Sequence, residues 1–158
     1  MREVIKMTIR IADKNDFEAV KEITHKTIGE VYPKYYPEGA VKFFHDHHSD
    51  ERIMRDIDLG IVYLLITDEG DAVGTVTISD NEIDRLFVLP SYQHKGYGRA
   101  LIDLAEEKIA EKHDVILIHA SLPAKKIYRL RGFKEVEYNI LDTGYGDYLC
   151  FDKMEKTV

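Results

Sequence analysis

Residues 93–98 read Q-H-K-G-Y-G and join a predicted strand to a predicted helix. The strand covers residues 83–89. The helix covers residues 97–112, because apolar side chains recur there along one helical stripe, at Leu101, Leu104, Ala105 and Ile109. The sequence therefore predicts a loop that ends directly at the N-terminus of a helix.

Such a loop is suited to holding phosphate. The first amides of a helix have no partner within the helix, and the helix dipole is positive at that end. Gly96 and Gly98 carry no side chain that would keep an anion away from these amides, and Lys95 and Arg99 add positive charge beside them. We interpret the loop as an anion-binding site. A tight turn without a ligand is the alternative that these six residues alone leave open.

Two common phosphate-binding motifs do not match this loop. The P-loop spacing G-x-x-x-x-G-K-[ST] is absent, and the dinucleotide motif G-x-G-x-x-G fails because Leu101 stands at its third glycine. The loop instead resembles the pyrophosphate-binding motif [QR]-x-x-G-x-[GA] of the GNAT superfamily of acyl-CoA-dependent N-acetyltransferases.

Two flanking segments extend the resemblance. Residues 86–90 read L-F-V-L-P and are similar to the strand-to-loop segment that receives the pantetheine arm in this family. Residues 121–133 resemble the family's segment N-x-x-A-x-x-x-Y-x-x-x-G-F, with Ser121 where asparagine is usual. The three segments occur in the family's order, and a weaker pattern runs from Thr8 to the end of the chain.

The resemblance implies an α+β fold of three layers, α/β/α, formed by a single domain over residues 7–156. Its centre would be a mixed, mostly antiparallel twisted sheet of about seven strands, flanked by about four to five helices. The implied cofactor is acetyl-CoA or CoA. The residues implied to contact it are Leu86, Phe87, Val88, Gln93, His94, Lys95, Gly96, Tyr97, Gly98, Arg99, Ser121, Ala124 and Tyr128.

Local patterns predict the remaining elements. Strands are predicted at residues 8–12, 61–67, 72–79, 81–89, 115–120, 133–141 and 145–154. Helices are predicted from residue 15, over residues 38–47 and 50–57, and around Tyr128. Asp13 is predicted to cap the first helix and Gly132 to end the last one. Residues 1–6 precede a second methionine and are predicted to be an extension.

Acyl transfer from a thioester to an amine requires a neutral amine, a polarised carbonyl and a proton for the departing thiolate. Ser121 lacks a G-x-S-x-G context, so we expect direct attack by the amine in a ternary complex. Tyr128 occupies the family's tyrosine position, and a phenol with a pKa of ~10 is protonated at neutral pH and can donate. A tyrosine that only packs against the cofactor is the alternative interpretation.

Glu82 is the candidate base, because it lies where the histone-acetylating branch of the family has its glutamate base. Asp84 is two residues further along the predicted strand and shares its face. A water molecule could relay the proton to either carboxylate, and an exposed strand carboxylate without a role is equally open. The resemblance also implies that a backbone N–H near residues 86–88 polarises the thioester carbonyl, beside a β-bulge.

The aromatic segment Y-P-K-Y-Y-P at residues 32–37 has two interpretations. Its prolines disfavour a continuous helix, so Tyr32, Tyr35 and Tyr36 can simply pack over an irregular connection. In GNAT proteins, however, this region usually shapes the acceptor pocket, and the three tyrosines are then candidate acceptor-binding residues.

His45 and His48 are three residues apart on a predicted helix and could supply two metal ligands. No Cys or Glu pattern nearby supplies the others, so we expect a solvated polar face and no metal. Cys150 lies in an apolar strand, where a buried, unreactive thiol is the simpler interpretation than a nucleophile.

The amino-acid composition limits the kinds of partner that we expect for this protein. The net charge of −7 and the absence of a long basic run argue against general nucleic-acid binding. No apolar stretch approaches the ~18 residues that a membrane span needs. One cysteine fits a reducing cytoplasm. We expect an enzyme that acetylates a primary amine, on a small molecule or a protein, and that can form a homodimer. A non-catalytic acyl-CoA sensor with the same fold is the alternative.

Overall fold

The computed structural model describes residues 6–158, and the predicted N-terminal extension therefore lies almost entirely outside the described residues. Within this range the chain forms one seven-stranded sheet and five α-helices. The strands are β1 (Met7–Ile11), β2 (Val62–Thr67), β3 (Ala72–Ser79), β4 (Glu82–Val88), β5 (Val115–Ala120), β6 (Lys134–Asp142) and β7 (Tyr148–Thr157). The helices are α1 (Phe17–Val31), α2 (Glu38–His47), α3 (Asp50–Asp58), α4 (Tyr97–Ala110) and α5 (Lys125–Leu130).

The strands lie in the order β1-β2-β3-β4-β5-β7-β6. Every neighbouring pair is antiparallel except β4 and β5, which are parallel and are joined by the crossover helix α4. This arrangement confirms the predicted α+β fold with a mixed, mostly antiparallel sheet. None of the helices in the described range is long and apolar enough to cross a membrane.

Helices cover both faces of the sheet. One core cluster packs α4 and α5 against the sheet and includes Leu101, Ile109 and Tyr128. The other packs α1, α2 and α3 against the opposite face and includes Val20 and Ile53. A single strand contributes side chains to both clusters, because alternate side chains of a strand point to opposite faces of the sheet.

A β-bulge interrupts β4. Thr75 of β3 pairs with Phe87, whereas Thr77 pairs with Asp84, so two residues of β4 lie opposite one residue of β3. The extra residue reverses the alternation of side chains beyond it. Ile83 and Val88, an odd number of positions apart, consequently belong to the same core cluster, while Phe87 belongs to the other. The bulge implied by the family resemblance is therefore present.

Some boundaries differ from the prediction. Asp13 caps a short 3₁₀ turn, in which the Asn15 amide donates to its carboxylate at 2.8 Å, and α1 follows this turn. Tyr145 was predicted in the last strand, but residues 143–147 form a loop, closed by the Thr143 hydroxyl donating to the Asp147 carboxylate at 2.7 Å. Cys150 on β7 is half-buried rather than buried.

Candidate active site

The sheet opens between β4 and β5. These strands pair at only two positions, Glu82 with Leu117 and Ile83 with Ile118. Beyond these positions β4 runs to Val88 and β5 to Ala120 without pairing to one another. The gap is a local sheet edge, to which an extended ligand can add by strand-like pairing. Leu86, Phe87 and Val88, which the family resemblance implies as cofactor contacts, lie along this edge.

The loop at residues 93–98 lies at the end of the same gap. His94 and Gly96 have positive φ angles of 62° and 93°, and Gly96 caps α4. Within the described range, no backbone amide of residues 94–99 donates a hydrogen bond to another residue. Gln93 Nε2 donates to the Val88 carbonyl at 2.9 Å and so ties the loop to the end of β4. The loop thus presents consecutive unpaired amides where an anion can approach.

Two glycines leave room for α4 and for a ligand. A Cβ on Gly74 of β3 would lie 2.9 Å from Leu101 Cδ1, so this glycine lets α4 pack closely against the sheet. A Cβ on Gly98 would meet only Val88 Cγ2 at 3.8 Å, an ordinary contact. The space above Gly98 is therefore open. Lys95 and Arg99 are exposed beside it.

A buried arginine holds the bulge in β4. Arg85 has a φ of 43°, and its side chain has no exposed surface. Its guanidinium donates to Asp56 Oδ2 at 2.8 Å, Thr77 Oγ1 at 3.0 Å and His48 Nδ1 at 3.3 Å. Burial and the charge of Arg85 lower the pKa of His48 to about 2, so its neutral ring can accept this bond. These contacts link β4 to β3, α3 and the end of α2.

We expect Asp56→Asn to lower the free energy of unfolding by about 3 kcal/mol, because it leaves the buried Arg85 charge without a counter-charge. Denaturant unfolding would measure the loss. Asp103→Asn is the control, since Asp103 is exposed and its ion pair with Arg131 is expected to contribute at most about 1 kcal/mol. Equal losses in the two variants would contradict a special role for the buried pair.

A cavity of about 450 Å³ opens at the gap between β4 and β5. Its walls come from α2, α3, β4, β5, α5 and the β6–β7 hairpin. The residues that line the cavity include one from each of these elements: Phe44, Arg52, Phe87, His119, Tyr128 and Phe151. Because the cavity borders the gap, an acyl group held in the gap would face the polar groups of the cavity wall.

The β6–β7 hairpin is anchored against α2 and closes one side of the cavity. The Gly39 amide donates to Asp147 Oδ2 at 2.7 Å, and a Cβ at Gly39 would collide with this carboxylate. Tyr145 donates to Asp46 from the same loop. These contacts place the apolar side chains of Leu149 and Phe151 at the cavity wall.

Tyr128 lies on α5 and is buried, with its ring packed edge-on against Phe133 at 5.5 Å between centroids. It lines the cavity, and none of the side-chain hydrogen bonds of the described residues involves its hydroxyl. This oxygen is not among the fully buried unpaired atoms, so it is open to the cavity. Burial raises the pKa of Tyr128, so the phenol stays protonated. Tyr32, Ser121 and Ala124 line the same cavity. Burial raises the pKa of Tyr32, and a contact with the Ser121 hydroxyl opposes that rise.

Glu82 lies at the closed end of the gap and contacts a residue that the sequence analysis did not single out. Its Oε1 lies 2.6 Å from Nδ1 of His119 on β5. Both side chains are partly exposed, and both line the cavity. Asp84 lines the cavity as well, and its carboxylate accepts a hydrogen bond from the Arg85 amide at 2.9 Å.

The three candidate acceptor tyrosines have different surroundings. Tyr32 is buried and lines the cavity. Tyr36 is buried in the core, and its hydroxyl accepts a hydrogen bond from the Leu122 amide at 2.6 Å. Tyr35 is half exposed and does not line the cavity. Only Tyr32 therefore lies where an acceptor could contact it directly.

The histidines at residues 45–48 do not form one solvated face, and that prediction is wrong for His48. The helix α2 ends at His47, and His48 is buried against Arg85. His45 instead stacks on His25 of α1, with their Nδ1 atoms 2.7 Å apart. The described residues contain no group of His, Cys, Asp and Glu side chains suited to a metal ion.

Sequence reasoning missed Arg85 and His119. Arg85 lies two residues from both Ile83 and Phe87, at a strand position where the alternating pattern predicts an apolar side chain. A charged residue at this position was the signal available in the sequence. His119 interrupts the apolar strand β5 between Ile118 and Ala120, which marks it as facing away from the core. Neither signal reveals the partner, because Asp56 and Glu82 are distant in sequence.

A family model described as an acetyltransferase (GNAT) domain matches residues 31–158. The chain belongs to the GNAT acetyltransferases. This membership confirms the predicted family, the cofactor acetyl-CoA or CoA, and acetyl transfer as the general activity. No curated protein matches the sequence significantly.

Solved structures of GNAT proteins share the fold. A GCN5-related N-acetyltransferase from Rhodopseudomonas palustris is 20% identical, with a TM-score of 0.88 and full coverage of both chains. The PaiA N-acetyltransferase from Thermoplasma acidophilum, in complex with coenzyme A, is 20% identical, with a TM-score of 0.78 over 98% of this chain and 100% of that one. YncA from Salmonella typhimurium, a putative acetyltransferase with acetyl-CoA, is 17% identical, with a TM-score of 0.70 over 96% and 93% of the two chains.

Proposed function

We propose that this GNAT protein transfers the acetyl group of acetyl-CoA to a primary amine by direct attack in a ternary complex. The observation that carries the proposal is the position of the Tyr128 hydroxyl. The Tyr128 side chain is buried, its phenol is protonated, and its hydroxyl has no hydrogen-bond partner among the described residues, in a cavity that borders the β4–β5 gap. A protein that only bound the cofactor would not need an acid there.

The parts of the site support distinct tasks. Acetyl-CoA supplies a thioester whose acetyl group can be transferred. The free amides of residues 94–99 and the charges of Lys95 and Arg99 would hold its pyrophosphate. The unpaired edge of β4 would hold the pantetheine arm and polarise the carbonyl. Tyr128 would donate a proton to the departing sulfur, and the groups around Glu82 would receive the proton of the amine.

A panel of amines tests the activity directly. The panel should include small amines, amino acids, polyamines, and peptides with a free N-terminus or a lysine, with release of the CoA thiol as the readout. Turnover of any amine above the rate of acetyl-CoA hydrolysis supports the proposal. Tight CoA binding without turnover of any amine would instead favour an acyl-CoA sensor.

We expect Tyr32→Phe to raise the KM for the amine by roughly 2- to 10-fold, the effect of losing one hydrogen bond in the cavity. Affinity for CoA, measured by calorimetry, should remain nearly unchanged. Tyr63→Phe is the control, because Tyr63 lies on β2 and does not line the cavity. An unchanged KM with a lowered Tm would show that Tyr32 only packs against its neighbours.

A further inference from the structure

The pair formed by Glu82 and His119 lies at the wall of the cavity. Glu82 is the first residue of β4, and His119 lies on β5 just beyond the last paired position of the two strands. The pair thus bridges β4 and β5 where the gap begins. Both residues border the same cavity as Tyr128.

The hydrogen bond fixes the form of the imidazole. An ionised carboxylate can only accept, so the 2.6 Å contact requires a proton on Nδ1 of His119. In the neutral ring the lone pair is then on Nε2. No hydrogen bond from a described residue reaches Nε2, and the side chain is 46% exposed. The ring is therefore held with one free basic nitrogen at the cavity.

The surroundings favour a charged imidazole when a proton arrives. The hydrogen bond to Glu82 raises the pKa of His119, and the charges of Glu82 and Asp84 act in the same direction. Partial burial and Lys153 of β7 oppose them. The ring of Phe151 packs edge-on against His119 at 5.7 Å and limits its reorientation.

We propose that His119 is the general base for the acceptor amine and that Glu82 is its positioning residue. This inference rests on the proposed acetyl transfer. The amine nitrogen bonds to the carbonyl carbon, and the carbon–sulfur bond breaks. One proton passes from the amine to Nε2 of His119, and one passes from Tyr128 to the sulfur. The imidazolium then loses its proton to solvent and the Tyr128 phenolate takes one up, so both residues return to their starting forms and the protons balance. Glu82 keeps the ring oriented and stabilises the imidazolium that forms.

Two substitutions separate this assignment from one in which Glu82 itself is the base. We expect His119→Gln to lower kcat/KM by roughly 100-fold or more, the usual weight of a general base. Glu82→Gln keeps the imidazole and should cost less. If Glu82 were the base, the order would be reversed, and His119→Gln would retain most of the activity.

The pH profile gives a second readout. The base acts when neutral, so kcat/KM of the wild-type enzyme should rise as pH increases through the raised pKa of His119. Glu82→Gln removes the main cause of that rise in pKa, so the increase in kcat/KM should occur at lower pH in this variant. NMR titration of the His119 ring should show the same downward shift without any substrate. If kcat/KM of Glu82→Gln rises at the same pH as in the wild-type enzyme, Glu82 has no positioning role.

The chain provides a matched control. His113 also contacts a carboxylate, with its Nε2 3.1 Å from Asp80, but the two residues lie outside the cavity. His113→Gln and Asp80→Asn should leave the rate and the pH profile unchanged. If the wild-type protein acetylates no amine, the proposed function fails, and the base role fails with it. If the wild-type protein is active and His119→Gln is equally active, only the base role fails.

Discussion

Tyr128→Phe is expected to lower kcat by roughly 100- to 10,000-fold, with little change in the affinity for CoA. The substitution removes a hydroxyl that has no hydrogen-bond partner among the described residues, and it leaves the ring packed against Phe133. Burial makes an unprotonated thiolate costly in this cavity, so loss of the proton donor should affect the chemical step. Single-turnover kinetics with saturating acetyl-CoA would measure it.

Tyr63→Phe again serves as the control, because it removes a tyrosine hydroxyl from a residue that does not line the cavity. The two variants should have similar Tm values, since neither creates a void. A Tyr128→Phe enzyme that retained the full rate would show that solvent or another group protonates the sulfur, and Tyr128 would then act only through packing.

The geometry of the loop at residues 93–98 was predictable because it depends on local sequence. The unpaired amides, the glycines at positions 96 and 98 and the following helical stripe all lie within one short segment. The bounds of β3 and β5 were predictable for the same reason, and both strands have the bounds that their apolar patterns indicate. Side chains that contact distant segments could not be placed in this way.

The bulge in β4 shows why part of the site was not predictable. A strand pattern fixes which side chains share a face only if the alternation is unbroken. The extra residue at the bulge depends on the contacts of Arg85 with Asp56 and Thr77, which come from α3 and β3. The contact between Glu82 and His119 likewise depends on the parallel register of β4 with β5. Such partners are determined by tertiary structure.

Gly98→Glu is expected to weaken CoA binding by roughly 100- to 1,000-fold, because a carboxylate would lie where the pyrophosphate approaches, and a like-charge contact costs several kcal/mol. The fold should tolerate the change. A Cβ at Gly98 makes only an ordinary contact, and glutamate favours a helix over glycine by nearly 1 kcal/mol. Calorimetric titration with CoA would measure the affinity, and Tm would report on the fold.

Gly98→Gln adds a side chain of the same size without the charge, so the difference in CoA affinity between the two variants isolates the electrostatic part. If CoA affinity were unchanged in Gly98→Glu, the pyrophosphate could not lie at the N-terminus of α4, and the cofactor would have to enter the β4–β5 gap in another orientation.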